Sequence, residues 1–450
     1  MNGQVLLLKF VLIAGVLSAT GCSNAGMPGL SPTPGSVATV LPSPVAAPSN
    51  ESGLAVAFVK DGNIQLWNES TGQIQTIVNT GDVISVTMSD DGQVIAFLRR
   101  SVVQLAAGEW FEQSALWAVD RNGGNPRELV SAESLRQRLN AAERDSTNIP
   151  QMQWIPGTHR LLFSGWKYIV IAEGESHAVP EGLYLVDADA LTDVALISSG
   201  NNLHFVPSPD GGQVALMSSD SLGFINVDGS NPRSDVLTYS SLALPGPVFP
   251  TGVWTRDSRA FVITASFENT SAGMNFTVWR VPVDGSAPES LAEILHSEPG
   301  STTFSPDGKH VAFVQSTDAQ PPEIAGWLIT RLTPEAGPLV IPTKFEFEGF
   351  ANLHWSPTGD PFTKNLRKLC LDATSDSDVC DVRIHLDGTV AALQWIDGNR
   401  ILFLTRDPSV LFLGKMDFTG NMDGTTIPIV TWPLEDWVSS KSFTMAKVSK

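Results

Sequence analysis

A short pattern recurs along most of this chain, and it restricts the possible folds more than any other feature. Each copy has an aromatic or apolar residue at the end of a strand, a tight turn rich in Pro, Asp and Gly, and a β-branched strand after the turn. Seven copies occur, at residues 88–92, 154–157, 208–211, 254–257, 304–308, 355–359 and 395–398. Successive copies lie about 41 to 66 residues apart, which is the period of a four-stranded propeller blade with loop insertions.

The turn in each copy has a physical basis. Proline presets the first dihedral angle, aspartate bonds to its own backbone two residues on, and glycine takes the positive φ that closes a hairpin. A third strand, a second Asp/Gly turn and a short fourth strand follow, as at residues 116–120 and 127–130. Four strands with two tight turns per unit predict an all-β chain, folded as a β-propeller of four-stranded antiparallel blades.

The two ends of the repeat region determine the blade count. Residues 55–59, 63–67 and 73–77 predict three strands with no strand before them, and residues 442–448 predict a strand at the far end. Pairing of this last strand with residues 55–59 would close the ring without an open sheet edge and would give eight blades. Seven blades, with one end of the repeat assigned poorly, is the alternative.

The sequence FSPDGK at residues 304–309 resembles the WD-like repeats of TolB-type β-propellers. The resemblance covers the chain from about residue 53 onward and implies the propeller fold. Because this family includes envelope scaffolds, peptidase accessory domains and a few lyases, the resemblance leaves the function undecided. TolB itself carries an α/β domain ahead of its propeller, whereas only a tether is expected here, so the partner contacts of that domain do not carry over.

The amino terminus has the layout of a secretory signal. Lys9 precedes an apolar run at residues 10–17, and small residues follow at 18–21. The run is too short to span a bilayer as a helix. The sequence ATGC at residues 19–22 resembles the lipobox of bacterial lipoproteins, which implies that Cys22 becomes the first residue and carries the lipid. Ordinary secretory cleavage, with Cys22 as a spare thiol, is the alternative.

Residues 23–52 are rich in Ser, Pro, Gly and Ala and predict a disordered tether. The chain therefore divides into a lipoprotein signal peptide (1–21), the lipidated Cys22 with its tether (22–52) and a propeller domain (53–450). This organisation predicts an exported protein of the cell envelope. Its lipid would hold it on the outer face of the cytoplasmic membrane or on the outer membrane.

The charge of the chain excludes some partners. Its 28 Lys and Arg against 47 Asp and Glu give a net charge of −19, which argues against nucleic acid and against an anionic membrane surface. Membrane contact is therefore expected through the lipid alone. With 42% hydrophobic and 17% charged residues, the chain is not a disordered polyelectrolyte.

Strand order places the long connections on one face of the propeller. In a blade with strands a to d, the a–b and c–d turns share one face, and the b–c and d–a connections share the other. Insertions at residues 100–113, 131–150, 165–181, 238–250, 266–276, 316–326 and 343–351 all belong to the second face, and long loops usually carry function. Residues 132–145 predict one helix there, with Leu135, Leu139 and Ala142 on one side.

The aromatic residues of these insertions form a candidate binding rim. They are Trp110, Phe111, Trp166, Tyr168, Phe249, Phe267, Phe345, Phe347 and Phe350. Exposed aromatic rings surrounded by polar groups favour a protein or polymer ligand. Capping of the sheet ends is the alternative for any one of these rings.

Sequence motifs for catalysis are absent. The chain has no G-x-S-x-G elbow, H-E-x-x-H motif, phosphate loop or dinucleotide fingerprint. Its seven His are scattered, so we expect no catalytic, cofactor-binding or metal-binding residue and no cofactor. Cys370 and Cys380 flank a predicted c–d hairpin, and in an oxidising compartment we expect a disulfide between them, with free thiols as the alternative.

Together these features predict a monomeric, non-enzymatic envelope lipoprotein. Its propeller is expected to bind an envelope protein or a polysaccharide through the long-loop face. The alternative is a propeller enzyme, a lyase or hydrolase that acts on an envelope or extracellular polymer at the channel mouth.

Overall fold

The computed structural model describes the chain from residue 53 to residue 448, with gaps. The described residues are 53–104, 110–142, 144–172, 175–190, 194–200, 204–240, 250–270, 273–297, 302–316, 324–332, 353–355, 361–365, 368–370, 384–385, 389–397, 400–406, 408–415, 426–433 and 439–448. They form 32 β-strands, one α-helix and one 3₁₀ helix. Residues 1–52, with Cys22, lie outside this part, so the signal, lipid and tether stay predictions. No helix within the described ranges combines the length and apolar character needed to cross a bilayer.

The strands are numbered β1 to β32 in chain order. The first twelve are β1 (Gly53–Lys60), β2 (Asn63–Asn68), β3 (Ile74–Val78), β4 (Val83–Met88), β5 (Val94–Gln104), β6 (Trp110–Asp120), β7 (Arg127–Val130), β8 (Ser146–Asn148), β9 (Met152–Trp154), β10 (Arg160–Ala172), β11 (Glu175–Asp187) and β12 (Ala195–Ser198). The next eleven are β13 (His204–Pro207), β14 (Gln213–Met217), β15 (Ser221–Asn226), β16 (Arg233–Thr238), β17 (Gly252–Trp254), β18 (Ala260–Thr270), β19 (Gly273–Pro282), β20 (Glu289–Ser297), β21 (Thr303–Phe304), β22 (His310–Ser316) and β23 (Ile324–Arg331). The last nine are β24 (Leu353–Trp355), β25 (Pro361–Asn365), β26 (Lys368–Cys370), β27 (Ile384–His385), β28 (Thr389–Asp397), β29 (Arg400–Arg406), β30 (Ser409–Lys415), β31 (Thr426–Trp432) and β32 (Phe443–Val448).

These strands form seven antiparallel sheets in which chain neighbours pair. Sheet 1 has the order β3-β2-β1-β32, sheet 2 holds β4–β7, sheet 3 holds β8–β12 and sheet 4 holds β13–β16. Sheet 5 has seven strands, a first half β17–β20 and a second half β21–β23, while sheet 6 holds β24–β27 and sheet 7 holds β28–β31. The up-and-down order is that of propeller blades and confirms the predicted fold class. The count of eight blades stays a prediction, because residues 333–352 lie outside the described part.

The predicted ring closure is confirmed by the pairing of the two ends of the repeat region. Strand β32 is the inner strand of sheet 1 and pairs with β1 from Gly53↔Val448 to Phe58↔Phe443. Phe443 and Ala446 are buried by this pairing. The last strand of the chain therefore completes the first sheet.

Apolar clusters fill the spaces between consecutive sheets. One cluster joins sheets 1 and 2, a second joins sheets 2 and 3, a third joins sheets 3 and 4, and a fourth joins sheets 4 and 5. A further cluster joins sheet 7 to sheet 1 and includes Leu402, Trp432 and Phe58. Because the last sheet packs on the first, the sheets lie face to face around a ring, as in a β-propeller.

An aromatic residue ahead of a turn packs between neighbouring sheets at Trp254. Trp254 is 3% exposed, and its Nε1 donates a hydrogen bond to the Val206 carbonyl of the preceding sheet at 2.9 Å. The turns that follow use the predicted chemistry. Asp91 Oδ1 accepts from the Gln93 N–H, two residues on, at 3.0 Å, and Gly92 takes a φ of 69°.

The predicted helix is shorter than expected. Helix α1 spans Ala132–Arg138, begins at the N-cap Ser131 and buries Leu135, while Leu139 beyond its end is also buried. The helix ends because Asn140 takes a positive φ of 46°, so the predicted extension to residue 145 is wrong. The 3₁₀ helix Ser440–Ser442 directly precedes β32.

Three of the predicted loop insertions are β-hairpins instead. Strands β5 and β6 pair from Val94↔Asp120 out to Gln104↔Trp110, and the pairs β10–β11 and β18–β19 extend in the same way. Continued pairing satisfies the backbone N–H and C=O groups that a loop would leave to solvent. The insertions at 100–113, 165–181 and 266–276 are therefore largely strand rather than loop.

Candidate binding site at the inner strands

A cavity of about 360 Å³ lies at the inner strands of four consecutive sheets. We call it the mouth pocket. Its lining consists of Ser85, Val86, Thr87, Ile149, Pro150, Gln151, Met152, Leu393, Gln394, Lys441, Phe443 and Thr444. These residues come from β28 of sheet 7, from β32 and the 3₁₀ helix before it, from β4 of sheet 2, and from β9 of sheet 3 with the segment before it. Ring closure by β32 therefore builds one wall of the pocket.

The pocket lies on the face that carries the long hairpins. In sheet 2, Val83 at the start of the inner strand pairs with Arg99, and β5 continues for five residues beyond that point. At about 3.3 Å per residue, this extension projects roughly 16 Å past the start of the inner strand. The hairpin β10–β11 extends past the start of β9 in the same direction, since Met152 pairs with Phe163 and β10 runs to Ala172.

Several hydrogen bonds hold the pocket walls together. Lys441 Nζ donates to the Pro150 carbonyl at 2.8 Å, which links the segment before β32 to the segment before β9. Gln151 Nε2 donates to the Phe205 carbonyl at 2.8 Å, and the Met88 N–H donates to Thr444 Oγ1 at 3.3 Å. Lys441 itself is placed by a capping box at Ser439 and Ser442.

Other polar groups of the pocket keep their hydrogen-bonding capacity. Within the described part of the chain, the hydroxyls of Ser85 and Thr87 and the amide of Gln394 make no side-chain hydrogen bond to the protein. Among the lining residues that the structure describes, Lys441 is the one cation, and none carries a carboxylate or an imidazole. The pocket thus offers hydroxyls, amides and one ammonium group beside apolar surface from Val86, Met152 and Leu393.

The predicted aromatic rim is only partly covered by the described residues. Phe111 is 5% exposed and lies under the Arg136 guanidinium, whose Cζ is 4.7 Å from the ring centroid. It therefore caps a sheet end, which was the alternative stated for these rings, and it offers no free surface. Trp166 and Tyr168 are half-buried in β10, where they pair with β8.

The remaining rim residues are placed only in outline. Trp110 begins β6, and Phe267 lies in β18. Phe249, Phe345, Phe347 and Phe350 lie outside the described residues. Cys370 ends β26, the third strand of sheet 6, as the predicted hairpin requires, and Cys380 lies outside the described part, so the disulfide stays a prediction.

On the opposite face, where the tight turns lie, a charged cluster joins sheets 2 and 3. His159 Nδ1 lies 2.7 Å from Asp189 Oδ2, and its Nε2 lies 3.0 Å from Asp91 Oδ2. Burial lowers the pKa of His159, but the hydrogen bonds to Asp189 and Asp91 outweigh it and hold that pKa above its usual value. Because both ring nitrogens face carboxylates, the imidazolium, which donates from both nitrogens, is favoured.

Arg127 completes this junction. Its side chain is 5% exposed, and its Nη1 lies 2.8 Å from Asp120 Oδ1 and donates to the Asn125 carbonyl at 2.8 Å. Its Nε donates to the Ala188 carbonyl of sheet 3, and its Nη2 lies 3.7 Å from Asp189 Oδ1. Sequence reasoning missed this cluster, although the turn copy at 154–157 lacks the aspartate that the neighbouring copies carry. The missing aspartate in this turn was the signal in the sequence that a neighbouring sheet supplies a carboxylate here, as sheet 2 does with Asp91.

Comparison with known proteins adds solved structures only. No protein-family model matches the chain, and no curated protein matches it. An oligogalacturonate lyase of Vibrio parahaemolyticus is 12% identical over 67% of this chain and 79% of its own, with a TM-score of 0.43. The β-propeller domain of the trilobed protease from Pyrococcus furiosus is 11% identical over 78% of this chain and 98% of its own, also at 0.43. Dipeptidyl peptidase 4 of Porphyromonas gingivalis is 12% identical over 69% of this chain and 48% of its own, again at 0.43.

These similarities correct one expectation. The lyase and the peptidase are enzymes by their names, and this finding contradicts the expectation, drawn from the sequence, of a non-enzymatic propeller. At this identity and TM-score the similarities carry no inference about which reaction, substrate or residues would be involved. The experiment below therefore measures turnover together with binding.

Proposed function

We propose that the protein is an exported, lipid-anchored propeller of the TolB-like kind that binds a hydroxyl-rich polymer, a polysaccharide, at the mouth pocket. The observation that carries the proposal is the set of unused polar groups in the pocket. Ser85, Thr87 and Gln394 can donate and accept hydrogen bonds without giving up a bond within the protein. Concave sites with apolar walls and a few convergent polar groups are the usual form of ligand sites.

Lys441 indicates which kind of polysaccharide the mouth pocket prefers. It is the one cation of the lining within the described ranges, and its ammonium group has three donors, of which the Pro150 carbonyl uses one. A sugar carboxylate is the group that completes this environment, because charge-assisted hydrogen bonds are stronger than neutral ones. We therefore expect a polysaccharide that contains uronic acids to bind more tightly than a neutral one.

The test uses two labelled probes, a uronic-acid hexasaccharide and a neutral glucan hexasaccharide, with the full chain. Lys441→Ala should weaken binding of the uronic-acid probe by about tenfold and leave the neutral probe nearly unchanged, since a charged hydrogen bond contributes about 1.5 kcal/mol. Gln394→Ala should weaken both probes. Lys60→Ala is the matched control, because Lys60 Nζ also donates to a backbone carbonyl, that of Thr431, at 3.0 Å, and lies outside the pocket.

Two results would overturn the proposal. One is the absence of binding for both probes, and the other is equal binding by the native chain and the Lys441 and Gln394 variants. The same incubations are analysed by mass spectrometry for shortened or unsaturated products. Turnover that is lost in the Gln394 variant would make the mouth pocket an active site as well as a binding site.

Membrane attachment is part of the proposal and has its own test. Cys22 follows the small residues of the lipobox-like sequence. Cys22→Ala should move the protein from the membrane fraction to the soluble fraction, and unchanged partitioning would contradict lipid anchoring through this thiol.

A further inference from the structure

A second cavity, of about 780 Å³, lies on the tight-turn face between the two halves of sheet 5. We call it the sheet 5 groove. It is bounded by the turn at 255–257 and the turn at 307–309, with β18, β19 and β20 along its length. This is the face opposite the mouth pocket, so the groove is independent of the function proposed above.

Three cations lie in the described lining of the groove, and two of them make neither a hydrogen bond nor an ion pair, although Asp284 lies within electrostatic reach of Arg280. Within the described part of the chain, the guanidinium groups of Arg256 and Arg280 make no hydrogen bond and no ion pair. Lys309 Nζ is 3.7 Å from Asp307 Oδ2, and its side chain is 64% exposed. The described lining holds three cations and three carboxylates, so it is less acidic than the chain as a whole, which has 28 Lys and Arg against 47 Asp and Glu.

The three carboxylates of the described lining form no ion pair with these two arginines. Asp257 Oδ1 accepts from Thr255 Oγ1 at 2.7 Å and from the Arg259 N–H at 3.1 Å. Asp307 Oδ1 accepts in the same way from Ser305 and from the Lys309 N–H. Both are engaged in closing their own turns. Glu289 stands opposite Arg280 in the sheet register, yet no ion pair joins them.

The equivalent space between sheets 2 and 3 is filled by the protein itself. The Ala188 N–H donates to the His159 carbonyl, as the Leu332 N–H donates to the Lys309 carbonyl, so Lys309 occupies the position of His159. His159 is held between Asp91 and Asp189. The residue that follows Leu332 in sequence is Thr333, which has no carboxylate to take the place of Asp189.

The floor of the groove is apolar. Val262 and Leu332 are buried, and Leu291 is half-buried. An inorganic anion or a sugar would satisfy the cations without an apolar group to pack on this floor. A peptide with both carboxylates and apolar side chains covers the floor and satisfies the cations together.

We propose that the sheet 5 groove is a docking site for an acidic peptide segment of a partner protein. Its Asp or Glu carboxylates pair with the guanidinium groups of Arg256 and Arg280, whose planar forks match a carboxylate in a bidentate manner. Its apolar side chains pack on Val262, Leu291 and Leu332. Recognition of acidic segments by clustered arginines is an established mode of peptide binding.

The test measures fluorescence anisotropy of a labelled peptide with alternating Glu and Leu against the full chain. The double variant Arg256→Gln/Arg280→Gln should weaken binding at least tenfold and should flatten its dependence on salt. A peptide with Gln in place of Glu, and one with Ser in place of Leu, should each bind at least tenfold more weakly. Arg100→Gln is the control for the loss of a single surface arginine charge, because this arginine is exposed on the opposite face.

The expected result requires native folding of the variants, which is checked by their melting temperature. If the double variant unfolds, Lys309→Gln, on an exposed side chain, replaces it and should weaken binding severalfold. Equal binding by the native chain and the groove variants would overturn the proposal. Equal binding of the Gln peptide would do so too, as would tighter binding of the uronic-acid hexasaccharide than of the peptide at this site.

Discussion

Two junctions on the tight-turn face have the same backbone framework and opposite solutions for their charged groups. Between sheets 2 and 3, Arg127 and His159 are each matched by carboxylates of the protein. Between the halves of sheet 5, Arg256 and Arg280 face an open groove. The comparison teaches that the repeat specifies how neighbouring sheets are spaced, whereas a few side chains decide whether a junction is sealed or available to a ligand.

The contact between sheet 7 and sheet 1, which closes the ring, is also made by side chains of the protein itself. Sheet 7 is tied to sheet 1 by Arg400, which bonds to Asp397 at 2.8 Å and to Glu69, and by Trp432 Nε1, which donates to the Val59 carbonyl at 2.9 Å. Sheets 7, 1, 2 and 3 are the sheets that supply the mouth pocket. The pocket is therefore held by sheets that are tied to one another, as a pre-organised site requires.

The largest effect is expected from removal of the closing strand. Deletion of residues 440–450 removes β32, with Phe443 and Ala446 from two apolar clusters and the six residue pairs with β1. We expect a loss of about 5 kcal/mol in the free energy of unfolding, since burial of a large apolar side chain contributes about 1.5–3 kcal/mol and the ladder is lost as well. For a domain of roughly 400 residues this corresponds to a fall of about 6 °C in melting temperature.

The matched control for this deletion removes only residues 449 and 450, beyond β32. Its melting temperature should equal that of the native chain. An unchanged melting temperature after the longer deletion would mean that the tail does not close the ring and would favour the seven-blade alternative.

Removal of Arg127 from the junction of sheets 2 and 3 should lower the free energy of unfolding more than removal of Arg256 from the sheet 5 groove. Arg127→Ala leaves Asp120 and the buried Ala188 carbonyl without their partner, and a buried acceptor left without a hydrogen bond costs about 2 kcal/mol. Arg256→Ala at the sheet 5 groove removes an exposed side chain that has no partner among the described residues, so its effect should stay within about 0.5 kcal/mol. Chemical denaturation of both variants checks the difference. Similar losses in the two variants would remove the distinction between a sealed and an open junction.

The smallest effect is expected at His159 and depends on pH. Because the folded-state pKa of His159 is raised, its contribution is fully present below the unfolded value of 6.5 and is lost as the pH rises through the folded pKa. Asp91 sets the lower limit of the pH range in which this interaction contributes to stability. Burial raises its pKa, hydrogen bonds from Ser89, Gln93 and His159 lower it more, and its contribution is lost as the pH falls through that lowered pKa.

His159→Gln should therefore lower stability most between about pH 5 and 6, by about 1 kcal/mol or less, since Asp91 and Asp189 are largely exposed and screened by salt. The difference from the native chain should shrink as the pH is raised to 9. Lys309→Gln at the equivalent position of the open junction should show no such pH dependence in this range. A constant difference between native and His159→Gln chains from pH 5 to 9 would contradict a charged His159 at the junction.

The repeat and its closure could be predicted from sequence because they rest on local chemistry. Turn residues such as Asp91 and Gly92 act within their own hairpin, and the unpaired three-strand unit at 54–78 required a strand from elsewhere. The projecting hairpins could not be predicted in this way, because whether residues 100–113 form a loop or a ladder depends on pairing partners.

The sites were harder to predict because they are made between sheets. Phe111 looked like a rim residue, yet Arg136 of the following helix covers it. The mouth pocket joins residues as far apart as Ser85 and Lys441, and the sheet 5 groove depends on which cations lack a partner. Such features follow from packing across junctions, which a single repeat does not encode.

The most direct test of the account is a covalent link between the two ends of the ring, because closure builds both the fold and the mouth pocket. Ala55 and Ala446 stand opposite each other in the β1–β32 ladder, so Ala55→Cys/Ala446→Cys should form a disulfide, mapped by peptide mass spectrometry. The linked chain should melt at a higher temperature and keep its binding to the uronic-acid probe. The offset pair Ala55→Cys/Thr444→Cys, two residues out of register, should not link. Absence of the link in the in-register pair, or equal linking of the offset pair, would contradict closure of the ring by β32.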